Sequence, residues 1–176
     1  MNTSGLHIDS VSTGLLIGRA VIGLLMAAHG AQKLFGWFDG HGLRATSEVM
    51  VKLGYRPGVA FATAAGFGEV ASGLLVALGF LGPVGPALMI SVMIVAAITV
   101  HWGNVFAMKN GIELPLLYAV AALVFAFAGY GAYSLDTLLG LANPWSSALT
   151  WSVVGAGVVV GFANVAIRRP NAPAAA

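Results

Sequence analysis

The stretch VSTGLLIGRAVIGLLMAAHGAQKLF, Val11–Phe35, decides the fold. Its only fixed charges are Arg19 and Lys33, with His29 one helical turn before Lys33. About 20 mainly apolar residues in a helix cross the hydrocarbon core of a bilayer. The run is long enough and apolar enough to be such a span. A charge at the centre of a span costs about 2.5 to 3.5 kcal/mol and usually faces the bundle interior, where it finds a partner. The run therefore predicts both a membrane helix and a polar interior around it.

Composition extends the reading to the whole chain. Of 176 residues, 59% are hydrophobic and 8% charged, and the mean hydropathy is +0.90. Soluble domains carry about 25% charged residues, so this is a membrane composition. The net charge of +2 comes from few ionisable groups. No basic block of the kind that tracks phosphates is present, so a nucleic-acid partner is not expected. Without cysteine there is no disulfide framework, no Cys-X-X-Cys pair and no thiolate metal site. Redox chemistry would need a bound cofactor or a partner. The N-terminus MNTSGLHIDS lacks the basic flank of a cleavable signal peptide, so the first apolar run is expected to be retained.

Working outward, the sequence predicts an all-α, polytopic transmembrane helical bundle: a four-helix core plus a fifth C-terminal transmembrane helix. The spans run from Val11 to Phe35, from Pro57 to Leu81, from the Gly82-Pro83-Val84-Gly85-Pro86 turn to Phe106, from Glu113 to Tyr130, and from Ala148 to Ile167. Pro57 and Pro115 sit in the first turn of their helices, where an N–H has no intrahelical partner. Residues 1–10 read as an extracytoplasmic segment, and 168–176 as a short basic, then disordered, cytoplasmic tail. Arg44, Lys52 and Arg56 fall between spans 1 and 2, Lys109 between spans 3 and 4, and Arg168 and Arg169 after span 5. Basic loops mark the cytoplasmic side, so the N-terminus is expected outside and the C-terminus in the cytoplasm. Trp37, Trp102, Trp145 and Trp151 fall near span ends, as in an interfacial aromatic belt.

On this layout Arg19 and Glu69 lie near mid-depth, and the sequence predicts that they pair. Arg19, His29 and Lys33 share one stripe of the first helix at 100° per residue. His101 and Glu113 fall at the depth of Lys33. The expectation is a polar mouth of His29, Lys33, His101 and Glu113 above a deeper Arg19–Glu69 pair. Two readings stand beside each other: a working polar cavity, or ion pairs that fix helix register. The spelling GFGEVA, Gly66–Ala71, is no dinucleotide fingerprint, because no strand precedes it. An iron site of His29, His101 and Glu69, or a bis-histidine haem, is disfavoured because the residues sit at different depths, and no metal is expected. Gly14/Gly18, the glycines and Ser72 around Glu69, and Gly157/Gly161 read as close helix packing, inside the chain or between two copies.

The pieces RAVIGLLMAAHGAQKLFGWFDGHG, GYRPG, GFGEVASGLLVALGFLGP, HWGNVFAMKNGIELPLLY and GYGAYSLD, in that order and spacing from Arg19 to Asp136, resemble the DoxX family of small bacterial membrane proteins. The resemblance implies a four-helix membrane domain over residues 11–136, extended by the helix at 148–167, in the bacterial plasma membrane. It implies polar positions at Arg19, His29, Lys33, Glu69 and Glu113. It also implies oxidoreductase roles. One relative is the large subunit of a thiosulfate:quinone oxidoreductase, and others are linked to a membrane complex with superoxide dismutase and a sulfurtransferase.

The functional expectation is a membrane subunit of a quinone- or thiol/sulfur-linked redox complex, not catalytic alone. Glu69 and His29 are expected to carry protons, and Arg19 and Lys33 to hold an anionic substrate or semiquinone, with His101 and Glu113 at the cavity mouth. A quinone is the expected cofactor. The lipid bilayer and other subunits or soluble redox enzymes are the expected partners. The alternative is a non-catalytic accessory or assembly subunit, and a small-molecule or proton carrier stands third.

Overall fold

The computed structural model describes residues 3–142 and 145–169, with side chains from Ser10 onward. Every regular element among them is helical. The elements are α1 (Thr3–Phe35), α2 (Gly42–Lys52), α3 (Gly58–Leu78), α4 (Val84–Thr99), a 3₁₀ turn (Ala107–Lys109), α5 (Glu113–Ala128), α6 (Leu135–Leu138) and α7 (Ser147–Ala166). Three helices are long and apolar enough to cross a membrane: Ser10–Phe35 within α1, α3, and α7. At 16 residues each, α4 and α5 are about 24 Å long. The all-α bundle read from the sequence is present, with five apolar helices.

Differences lie at the ends of elements. Residues 3–10, expected as a separate segment, continue α1. The third helix stops at Thr99 rather than Phe106. Residues 100–112 instead fold into a compact loop in which Ile112 and Glu113 N–H groups donate to Asn104 and Val105 carbonyls. The connection between the first two spans contains α2, whose exposed Arg44 and Glu48 lie 3.6 Å apart. The expected Asn143-Pro144 break and the tail 170–176 lie outside the described residues.

Small residues set how the helices meet. A Cβ on Gly23 would come within 2.5 Å of the Gly73 carbonyl oxygen, and one on Gly30 within 2.5 Å of that of Gly66. Two glycines per helix, seven residues apart on both α1 and α3, thus form one antiparallel seam, the small-residue packing that lets backbones approach in lipid. Gly68 meets Val92 and Gly85 meets Leu75, so α3 and α4 are also antiparallel. Gly157 lies on Ala87 and Gly161 on Ser91 and Ile94, so α7 runs parallel to α4. Gly157 and Gly161 are therefore used within the chain. Nothing lies within 4 Å of a Cβ on Gly14.

Met26, Val76, Met89, Met93, Tyr118 and Phe125 form the core between α1, α3, α4 and α5. Outside, Val21, Leu24, Val124 and Val160 are about half exposed. Such an apolar outer surface suits lipid. Trp37, Trp102 and Trp151 are exposed near helix ends, but the Trp145 indole nitrogen is buried and its ring rests against Gly82.

Candidate functional site

The polar interior has two centres. Along α1, Arg19 and Lys33 share a stripe but lie about 21 Å apart, at 1.5 Å per residue. Because α3 is antiparallel to α1, Lys33 meets Glu69 and Arg19 meets Ala77, eight residues further along α3.

Glu69 is 2% exposed. Its Oε1 accepts from Lys33 Nζ, while its Oε2 is buried without a hydrogen-bond partner. The expected Arg19–Glu69 pair is thus replaced by Lys33–Glu69. The antiparallel register carries Arg19 to Ala77 and leaves Glu69 level with Ala27, between the two cations, where the long Lys33 side chain reaches back along α1 to meet it. Arg19, also 2% exposed, donates to the backbone carbonyls of Ala77 and Tyr133. It ties α1 to the end of α3 and to the segment after α5.

A cavity of about 390 Å³ opens between the end of α1, α2, α3 and the end of α4. Its walls are mostly apolar, with Val49, Leu53, Val92 and Val95 among them, and Gln32, Lys33, Asp39, His41, Thr46 and His101 supply polar groups. Lys33 both lines the cavity and holds Glu69. His29 does not line it. Its Nδ1 lies 3.2 Å from Gln32 Oε1, and Gln32 does line it. The His29 ring meets Tyr118 edge-on at 5.9 Å.

Of the four residues expected at the mouth, the fold brings Lys33 and His101 together on one cavity. Glu113 is elsewhere: its Oε2 accepts the Ala107 N–H at 2.7 Å and so closes the loop before α5. His101 Nδ1 also lies 3.1 Å from the Asn110 carbonyl. A smaller cavity of about 220 Å³ adjoins the first, sharing Met50, Ala65, Val92 and Val95 with it. Tyr55 lines it with an unpartnered hydroxyl. Burial raises the Tyr55 phenol above the usual tyrosine value, and Arg168 opposes this.

The sequence reading assigned no site role to Gln32, Asp39, His41, Thr46, Tyr118 or Asp136. The first three stand near Lys33 in AHGAQKLFGWFDGHG, and an amide next to a lysine at the end of an apolar run was the available signal. Asp136, 3% exposed, accepts the N–H groups of Leu81 at 2.9 Å and Gly82 at 2.7 Å.

The DoxX family profile matches residues 14–102, half of the chain. The chain belongs to the DoxX family. The match takes in α1 from Gly14, all of α2, α3 and α4, and hence Arg19, His29, Lys33, Glu69 and His101. Glu113, α5 and α7 lie beyond it. No curated protein and no solved structure matches the chain. Family and apolar helices together make this DoxX chain a multi-pass membrane protein in contact with lipid.

Proposed function

We propose that this DoxX chain is the integral membrane subunit of a redox complex in the bacterial plasma membrane, with its N-terminus outside. In this reading the 390 Å³ cavity takes a quinone or a small anionic substrate. One observation carries it: Lys33 joins an apolar-walled cavity to a buried carboxylate that keeps one oxygen free of partners. Apolar walls with a few polar groups are what a ring-shaped amphiphile needs.

Reduction of a quinone to a quinol takes up two electrons and two protons. Electrons would arrive from another subunit or a soluble redox enzyme. Protons would move through groups of this chain, Glu69 by way of Lys33 and His29 beside Gln32. Lys33 and His101 would hold the oxygen of the ring or an anionic group by charge and hydrogen bonding. Arg19 and Glu113 would serve the scaffold.

The test is Glu69→Gln in the complex purified gently from its own membranes. Native mass spectrometry reads assembly and bound quinone, and quinone reduction reads activity. Activity lost with assembly intact supports the reading; unchanged activity overturns it. The second reading is an accessory subunit, favoured by the contacts of Arg19 with two backbone carbonyls and by the Glu113 loop closure. It predicts that only assembly and stability change.

A further inference from the structure

The cavity of about 220 Å³ lies outside the proposed substrate site, and its place in the bundle gives it a different reading. α3 and α7 both pack along α4, and this cavity runs as a groove between them. Phe61 and Ala64 of α3 wall one side, Leu88 and Val95 of α4 form the floor, and Val160 and Asn164 of α7 wall the other. Ala64 is exposed and Val160 is 51% exposed, so the groove opens outward, toward lipid. From Leu88 to Val95 it runs about 10 Å at 1.5 Å per residue. That is within one leaflet of a hydrocarbon core of about 30 Å. Tyr55, Ser91 and Asn164 are its polar lining among the described residues, none of them a fixed charge.

One end of the groove lies where α3 begins and α7 ends. There the Arg169 N–H donates to the Gly54 carbonyl at 2.8 Å, which ties the chain after α7 to the turn before α3. The tie gathers Arg56, Arg168 and Arg169, from two distant segments, over the Tyr55 end of the groove. Arg56 and Arg169 are exposed, and Arg168 is half-buried. Arg168 also acts on the Tyr55 phenol, lowering what burial raises. Lys52, exposed at the end of α2, adds a further positive charge. The acidic residue of α2, Glu48, sits 3.6 Å from Arg44 and lines a different recess with it. Basic residues beside a span set its orientation wherever they stand. These three also converge on one apolar slot.

We propose that this groove is a site for an anionic phospholipid, with one acyl chain lying between α3 and α7 and the headgroup phosphate held by Arg56, Arg168 and Arg169. A guanidinium matches two phosphate oxygens at once, and basic pockets between membrane helices take lipid head groups. The inference uses no part of the redox reading, and neither depends on the other.

The experiment is native mass spectrometry of the full chain in a neutral detergent, with equal amounts of phosphatidylglycerol and phosphatidylcholine bearing the same acyl chains. Each arginine near an anionic surface is worth about a factor of five. Phosphatidylglycerol should therefore be retained over phosphatidylcholine by about tenfold or more, and Arg56→Gln with Arg168→Gln should remove most of that preference. Arg44→Gln with Lys109→Gln, an equal loss of charge away from the groove, should leave it unchanged. Ala64→Phe, and separately Val160→Trp, fill the groove and should release phosphatidylglycerol with the arginines intact. Glycerol phosphate, a headgroup without chains, should not displace the lipid. Circular dichroism melting at the parent temperature certifies each fold. Where one groove variant melts early, the other and the arginine pair decide. Equal retention of the two lipids overturns the inference. So does the same loss of preference in both charge-removed pairs, retention unchanged in a filled groove, or displacement by glycerol phosphate.

Discussion

The Lys33–Glu69 pair should be energetically lopsided. The Lys33 side chain is 33% exposed and that of Glu69 2%. Removing Glu69 leaves a lysine at the rim of a cavity, long enough to turn its ammonium toward water or headgroups. Removing Lys33 leaves a buried carboxylate whose second oxygen already lacks a partner. Breaking a buried pair on the side that strands the other charge costs about 3 to 5 kcal/mol. Glu69→Gln loses only a charge-assisted hydrogen bond, about 1.5 to 3 kcal/mol, reduced further by the rescue of Lys33. Lys33→Met should therefore cost at least about 1 kcal/mol more than Glu69→Gln. The double variant, with no charge left, should recover most of the Lys33→Met loss, because neutral replacements of a buried pair are often tolerated. The assay is reversible unfolding in mixed micelles with increasing sodium dodecyl sulfate, followed by circular dichroism. Glu69→Gln costing as much as Lys33→Met would refute the argument, and so would strict additivity in the double variant.

Three further outcomes follow from the packing and the loops. Gly73→Leu should destabilise by about 1 to 3 kcal/mol or more, because its Cβ would come within 2.5 Å of the Ala27 nitrogen and the Gly23 oxygen; Gly14→Leu, with open space around it, should unfold at the same detergent concentration as the parent. Asp136→Ala should speed amide hydrogen exchange at Leu81 and Gly82 at least tenfold, since both N–H groups lose their acceptor at a cost of about 1 to 3 kcal/mol each. Tyr55, raised by burial, stays neutral in the folded chain after the unfolded chain has begun to ionise near pH 10. The unfolded state then binds fewer protons, so stability falls as pH climbs above about 10. Tyr55→Phe should flatten that alkaline loss in a pH series of melts.

Much of this was legible in the sequence, because lipid imposes strong rules on composition and length. The apolar runs located α3, α7 and the C-terminal end of α1 to within a few residues, while α1 begins earlier than its apolar run, at Thr3; Arg19 and Glu69 were recognised as interior groups. Their partners were not legible. Wheel positions put Arg19, His29 and Lys33 on one stripe, but the level of α3 against α1 comes from the Gly23–Gly73 and Gly30–Gly66 contacts. Those contacts set Glu69 between the two cations, and it is the Lys33 side chain that reaches it. The two terminal nitrogens of Arg19 then donate to the Ala77 and Tyr133 carbonyls, a solution no side-chain pattern encodes. Glu113 was placed at the right end of the bundle, but a local N–H at Ala107 captured it before the cavity could. The short α2 was hidden because its polar face, Arg44 and Glu48, reads like a loop when only long apolar runs are counted.

The short α4 and α5 carry a consequence for the membrane itself. At about 24 Å they fall short of a hydrocarbon core of about 30 Å, beside an α1 that exceeds it. Such hydrophobic mismatch is relieved by thinning the lipid on one flank and tilting the longer helix on the other, at a fraction of a kcal/mol per Å. The chain would then sit in a lopsided annulus of lipid, thinnest beside α4 and α5. Bilayer thickness would act on it as a variable in its own right, favouring short-chain lipids around that side of the bundle.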